Sequence, residues 1–465
     1  MTEFDGPDLP VVWQRITRSS GRSAILTASS AYPWEICVRV RPRSVLIVAV
    51  ATALAAPIGI AAAAEPPTPA PPTATAADPS APVPPIPQGW PAVSSASATK
   101  PVEITPGVTE YSETYITADG PEHTQVLQVD LSRGKVRVDT VESHDHVIDP
   151  PNELTTSMGN RTGAVAGING DFFAIHASGA PLGGVVRDGV LLKTPRPHFA
   201  GQVAIANRRA SVGEVDFTGK LTIGKESATL ESVNTVEDAA PDGLAITSDL
   251  LKKSKPPAAI NGITEITPDL GAVAAIPAGT LVIAHRNGAS PAVIDQVIPD
   301  ATSVPALGPD QVGLLGGGAG AGWLTEHATP GARVSISADL SSKGIDTLIG
   351  GATVLVQNGA VFNDPTGAPP SGRNPETMVG VSKDGRQLTM VVIDGRQTTS
   401  IGVTPQEASE YLVAHGMDAG VLLDGGGSST LAAQLPGTTG LTILNHPSDA
   451  AGERPVANGL FVYDH

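Results

Sequence analysis

Alternation of apolar and polar residues with a period of two, recurring from about residue 100 to the C-terminus, constrains this chain more than any other feature. It commits the chain to strands. The stretches 123–131 (HTQVLQVDL) and 135–141 (KVRVDTV) alternate on either side of Ser132-Arg133-Gly134, which predicts a hairpin. Further strands are expected at 163–168, 201–206, 279–285 and 352–359. Residues 377–382 and 388–394 flank Lys383-Asp384-Gly385, a second hairpin, and a short apolar strand is expected at 419–424. One helix is well marked. Thr404 is its N-cap, Pro405 its first residue and Glu407 the partner in a capping box, while Gly416 ends it. The expected architecture is α+β, with mixed β-sheets, few helices and a single large catalytic domain over 101–465. A less patterned insertion falls near 208–345. The glycine run 313–323 (GLLGGGAGAGW) lacks the Lys and Ser/Thr of a phosphate-binding P-loop and reads as a flexible loop.

The N-terminal part has a different character. Arg39, Arg41 and Arg43 precede an uncharged run, 45–64, that closes on Ala62-Ala63-Ala64, the pattern of a signal peptide with a small-residue cleavage site. Residues 1–64 are therefore expected to be an N-terminal extension plus signal peptide, with translation starting nearer Val38 or Val40. Residues 65–100 are rich in Pro, Ala and Thr and read as an extended linker. The expected location is secreted or cell-envelope associated, with membrane contact only through an uncleaved signal segment. The one cysteine, Cys37, lies upstream of the cleavage site, so the processed chain would use no disulfide and no thiolate chemistry.

Charge narrows the partners. The net charge is −17, and removing residues 1–64 leaves 23 basic against 42 acidic residues. Such a surface repels nucleic acid, and none is expected as a partner. An anionic substrate would need a local cluster of Arg or backbone N–H groups.

Three segments share a design in which a strand runs into a glycine turn carrying Asp: GINGDFF (167–173), VVIDGR (391–396) and LLDGGGSST (422–430). A carboxylate there is positioned by the sheet yet open to substrate. Successive glycines let N–H groups converge on an anion, and Arg373 and Arg396 could add bidentate phosphate contacts. The remaining candidates are weaker. His144-Asp145-His146 reads as a solvated loop, and His176, His198 and His446 stand alone near these motifs. Asp449 and Arg454 fit an ion pair or a pocket wall equally well. No G-x-S-x-G, H-E-x-x-H or C-x-x-C is present. No metal ligands are assigned, although carboxylate-rich turns can hold Ca2+ through oxygens.

From about residue 160 onward the chain resembles the phosphodiester glycosidase family. The matching pieces are GINGDFF with PLGGVVRDGVLL, TMVGVSKDGRQLTMVVIDGR, the helix after Thr404 leading into LLDGGGSST, then HPSD (446–449) and ERPVANGLFVY (453–463). The resemblance implies an exported hydrolase that cleaves the glycosidic bond of a sugar-1-phosphodiester, with a carbohydrate phosphodiester as its partner. It implies catalytic carboxylates at Asp171, Asp394 and Asp424. Phosphate or substrate contacts fall to Asn169, Arg373, Arg396, Gly425, Gly426, Gly427 and Ser428. One departure stands out: members typically carry Arg directly before the residue matching Thr377, where this chain has Glu376. Either Arg373 takes over that role or phosphate binding is weakened. Two other readings remain open at this point, a non-catalytic module for phosphorylated polysaccharide and a metal-dependent phosphodiesterase.

Overall fold

The computed structural model describes residues 81–464 except 176–177, 196–200, 237–260, 289–290, 352 and 363–371, together with three short strands nearer the N-terminus. The chain divides into two compact units, Met1–Ala74 and Thr75–His465. In the first, Thr17–Arg18, Ala24–Leu26 and Val38–Val40 pair antiparallel. The expected signal segment at 45–64 and most of the linker lie outside the described residues. No helix among the described residues is long and apolar enough to cross a membrane.

The second unit is β-rich, with three α-helices among its described residues: α1 (Thr155–Thr162), α2 (Ala319–His327) and α3 (Pro405–Ala414). Ten strands carry the site: β1 (Val108–Thr117), β2 (Pro121–Asp130), β3 (Val136–Glu142), β4 (Ala166–Asn169), β5 (Thr353–Gln357), β6 (Glu376–Val381), β7 (Gln387–Ile393), β8 (Ala419–Leu422), β9 (Leu431–Ala433) and β10 (Asn458–Asp464). The largest sheet has nine strands and runs β5-β8-β6-β7-β2-β1 through its middle. A five-stranded sheet is ordered Thr442–Ile443, β9, β4, β10, β3. Both are antiparallel throughout. The mixed sheets expected from the sequence reduce to one parallel pair among the described residues, Ser232–Val233 with Ile263–Ile266. It lies in an eight-stranded sheet built from residues 217–340. A fourth sheet, Val185–Arg187 to Ile345–Gly350 and their neighbours, borders the core.

Two layers enclose the main core. Leu127, Val129, Val379 and Met390 of the nine-stranded sheet meet Ile168, Leu460 and Val462 of the five-stranded one, all essentially inaccessible to solvent. Each such side chain contributes roughly 1.5–3 kcal/mol by leaving water. The other face of the large sheet is covered by α3 through Tyr411 and Leu412. That helix has the predicted capping box: Thr404 accepts from Glu407 N–H, and the Glu407 side chain accepts from Thr404 N–H at 2.8 Å.

Three expectations need correction. The 123–131 and 135–141 strands form, but not as a hairpin. β2 pairs with β1 and β7, whereas β3 pairs with β10 in the other sheet. Alternation states which face is apolar, and here both apolar faces point into one core from opposite layers. The turn between them therefore carries the chain across the sandwich. Second, the glycine run is no loop. Gln311–Gly316 is a strand and α2 follows at once. A Cβ on Gly316 would lie 2.6 Å from the Gly320 backbone, so the glycines let helix and strand approach closely. Third, the fold reaches back into the expected linker. Val93–Ala98 pairs with β1, and Trp90 is buried against Tyr115 and Tyr411 with centroids 5.1 and 6.2 Å away. Its indole N–H donates to the Glu407 carbonyl at 2.9 Å. The strand VSSASA is too polar to announce itself, since neighbouring backbone rather than its side chains holds it.

The 377–382/388–394 hairpin does form, as β6 and β7 in the register Val381↔Leu388.

Candidate active site

The site lies where the two sheets exchange chain. Segment 423–430 leaves β8 in the large sheet and enters β9 in the small one. Asn169, at the end of β4, stitches this crossing. Its side-chain amide donates to the Asp424 carbonyl at 2.7 Å, and its Oδ1 accepts from Thr377 Oγ1 at 2.8 Å and Thr430 N–H at 3.0 Å. Asn169 is wholly buried and braces the crossing.

The three consecutive glycines answer to three separate neighbours. A Cβ on Gly425 would collide with the Glu376 carboxyl, one on Gly426 would come within 3.1 Å of Arg396 Nη2, and one on Gly427 would strike Asp449 and Arg454. Gly426 also has φ +64. The turn is thus stripped of side chains so that charged groups can crowd against it.

The expected nest of N–H groups is largely spent. Gly426 N–H donates to Pro375 O at 2.8 Å, while Ser428 and Ser429 N–H donate to Gly425 and Gly426 carbonyls at 3.3 Å. Positive charge comes from guanidinium groups instead. Arg396 is exposed, has φ +61, and donates to Asn374 Oδ1 at 2.8 Å. A non-glycine residue at positive φ costs of order 1–3 kcal/mol, a strain typical of functional positions. Arg454 is held by Asp449 at 2.7 Å and reaches Ser428 Oγ at 3.4 Å. Arg454 therefore forms the ion pair and stands beside the glycine turn.

Arg373 is engaged by the scaffold. It donates to Glu407 at 2.7 and 2.9 Å, to Asp119 at 2.8 Å and to the Gly402 carbonyl at 3.1 Å, with Glu122 3.6 Å away. Four acceptor atoms hold it at the start of α3. Asp171 is anchored by the backbone. It is 1% exposed, its carboxylate accepts Gly183 N–H, and its own N–H donates to Asn458 Oδ1 at 2.9 Å.

The carboxylates that remain differ in protonation. Burial pushes Glu376 up to about 8, with the nearby Asp424 charge adding to the rise and Arg396 opposing it. Burial likewise pushes the partly exposed Asp424 up to about 7, against hydrogen bonds from Ser428 and Gly425 N–H and the charge of Arg454. Burial would also raise Asp394, but hydrogen bonds from His123 and His446 outweigh it and hold this carboxyl below the usual range. Groups whose environments drive their proton affinities apart are the raw material of acid–base catalysis. Asp394 ends β7 and is flanked by His446 Nδ1 at 3.1 Å and His123 Nδ1 at 3.3 Å. In the sequence His446 stands alone near the motifs, and His123 lies inside an alternating strand. His176 and His198 lie outside the described residues. His144 and His146 face Asp149 from an exposed turn at 3.4 and 3.7 Å, apart from the site's contacts.

The family model for phosphodiester glycosidases matches residues 270–463. That segment is similar to the phosphodiester glycosidase family. The matched segment holds Arg396, Asp394, Asp424 and Arg454, while GINGDFF precedes it. It begins inside the stretch expected to be an insertion. No curated protein matches the chain. Among solved structures, a protein of Burkholderia pseudomallei described as exported is 20% identical, with a TM-score of 0.62 over 83% of this chain and 99% of that one. A hypothetical protein from Synechocystis is 16% identical at a TM-score of 0.59 over 81% of this chain, which spans 64% of that protein's length. Both likenesses concern the fold. The catalytic domain of zebrafish N-acetylglucosamine-1-phosphodiester alpha-N-acetylglucosaminidase, auto-inhibited by its pro-peptide, is 14% identical at a TM-score of 0.38, over 80% of this chain and 88% of that domain. An overlap that low adds nothing to the fold.

Proposed function

We propose that this protein is an exported glycosidase that hydrolyses the bond between an anomeric carbon and the phosphate of a glycosyl phosphodiester. The observation that carries the reading is the pairing, across one glycine turn, of carboxyl groups at Glu376 and Asp424 with guanidinium groups at Arg396 and Arg454. Water adds to the anomeric carbon, the C1–O bond breaks, and its electrons leave with the phosphate monoester. That leaving group is acidic and needs little proton donation. The demands are charge stabilisation on the phosphate and support of an oxocarbenium-like sugar.

Arg396 and Arg454 meet the first demand, since neither guanidinium is exhausted by its protein partners. Asp424, the more accessible of the two raised carboxyls, meets the second and accepts the proton of the attacking water. Its affinity near neutrality suits a base. Glu376 stays protonated at neutral pH and spares the site a second negative charge beside the phosphate. A buried neutral acid is compatible with an anionic substrate where a buried carboxylate would not be. That removes the objection raised by the absent arginine. Sugar-1-phosphate linkages of cell-wall or exopolysaccharide polymers are the proposed substrate class, on the strength of the signal-peptide pattern expected at residues 45–64.

The test uses the purified protein with a UDP-sugar or an alkyl-phosphate α-N-acetylglucosaminide and NMR detection of products. Free sugar with an intact phosphate monoester, lost in Asp424→Asn, supports the reading. Transfer of the break to the P–O bond, giving sugar phosphate, would replace it with phosphodiesterase chemistry. Binding without turnover across a panel of sugars would leave a polysaccharide-binding module.

A further inference from the structure

We infer that His123, Asp394 and His446 form a binding site for a divalent transition-metal ion of the Zn2+ type. The inference is independent of the glycosidase reading, because it concerns what these three side chains bind and not what the site cleaves.

The three residues come from three places in the chain and are brought together by the sheet. Asp394 follows β7 and donates its N–H to the carbonyl of His123 on neighbouring β2 at 2.9 Å. His446 lies in the loop after Thr442–Ile443. Their donor atoms all fall within 4.8 Å of one another.

The carboxylate of Asp394 is used asymmetrically. Oδ1 accepts from His446 N–H at 2.9 Å and from Asn445 Nδ2 at 3.2 Å. Asn445 is fixed in turn by Leu431 N–H and by the Ser429 carbonyl, at 2.8 and 3.0 Å. One oxygen is therefore locked from behind, and the other, Oδ2, faces two imidazole nitrogens and no backbone group. Outer-shell bonds of this kind orient the ligands of metal centres.

The separations fit a shared ion. With metal–ligand bonds of about 2.0–2.1 Å, adjacent ligands lie about 2.9 Å apart in an octahedral site and about 3.3 Å apart in a tetrahedral one. Oδ2 lies 3.1 Å from His446 Nδ1 and 3.3 Å from His123 Nδ1. Exposure is graded: Asp394 is 2% exposed, His123 25% and His446 56%. Two ligands are thus anchored while the third borders solvent, leaving room for water or substrate as in open metal sites. Two imidazoles with one carboxylate select Zn2+, Mn2+, Fe2+ or Co2+ over Ca2+, which takes six to eight oxygens. The alternative for the same atoms is a metal-free pair of imidazoles each donating Nδ1–H to Oδ2.

The experiment titrates the untagged full-length protein, stripped with chelator, with Zn2+ alone and separately with Ca2+ by calorimetry. Wild type, His123→Ala and His446→Ala are compared, and Co2+ absorption serves as a second readout. The expected result is one Zn2+ equivalent at micromolar affinity or tighter, weakened at least tenfold in each variant, with a Co2+ d–d band that the variants lose. Because His446 is exposed, its replacement leaves the fold intact, and a circular dichroism melt verifies that. No Zn2+ uptake at micromolar concentration, uptake unchanged in the variants, or preference for Ca2+ would each overturn the inference in favour of the metal-free pair.

Discussion

Glu376 and Asp424 stand at the ends of adjacent antiparallel strands, with Gly425 folded over the Glu376 carboxyl so closely that no Cβ fits between them. Neither carboxyl oxygen of Glu376 has a hydrogen-bond partner among the described residues. A charged group in that position would be costly to bury, and a neutral acid is the form that fits.

Stability should therefore fall as pH rises. Glu376 holds its proton to about pH 8 when folded but loses it near 4.5 when unfolded. Between those values the folded state binds more protons, so the stabilisation is complete below about 4.5 and is lost as pH climbs through 8. Glu376→Gln should match the native melting temperature at pH 4.5 and exceed it increasingly up to pH 9. A constant difference across that range would refute the buried neutral acid.

Turnover should depend on Asp424. Asp424→Asn keeps the hydrogen-bonding shape but loses the base, and kcat should drop by about 10²–10⁴-fold with no change in the far-ultraviolet spectrum. The pH profile of kcat/KM in the native enzyme should rise through about 7, where this carboxyl ionises.

Arginine replacements should separate binding from scaffolding. Arg396→Ala and Arg454→Ala remove charged contacts worth about 1.5–3 kcal/mol, so KM for a phosphodiester should rise roughly ten- to a hundredfold. Arg373→Ala should leave KM alone and lower stability by about 1–3 kcal/mol, because its partners are Glu407, Asp119 and Gly402. Urea denaturation beside steady-state kinetics distinguishes the two classes.

The segment before residue 100 should prove structural. Trp90→Ala is expected to cost about 3–5 kcal/mol, since the ring is 8% exposed and packs against Tyr115 and Tyr411. A chain truncated at residue 101 should be less stable than one beginning at 81, as thermal melts would reveal.

The sequence was most informative where local chemistry decides structure. The Thr404 capping box and the Lys383-Asp384-Gly385 hairpin are local, and both stand in the structure as read. Partnership between strands is not local. β2 and β3 both alternate, yet nothing in the alternation says that they belong to opposite layers. The same limit governed the site. Glycine turns mark Asp394, Asp424 and Arg396 of the proposed site in the sequence, whereas Arg454 carries no such mark. Asn169, Asp171 and Arg373 have the right residue types in the right motifs, but their hydrogen bonds are spent on the scaffold. His123 could not be singled out, because its importance arises only from β2 lying beside β7.

The crossing of segment 423–430 between layers has a mechanical meaning. Arg396 hangs from the large sheet just beyond β7, and Arg454 precedes β10 in the small one. An anion gripped by both would act as a tie-rod across the sandwich, making the tightness of the fold itself a gauge of occupancy.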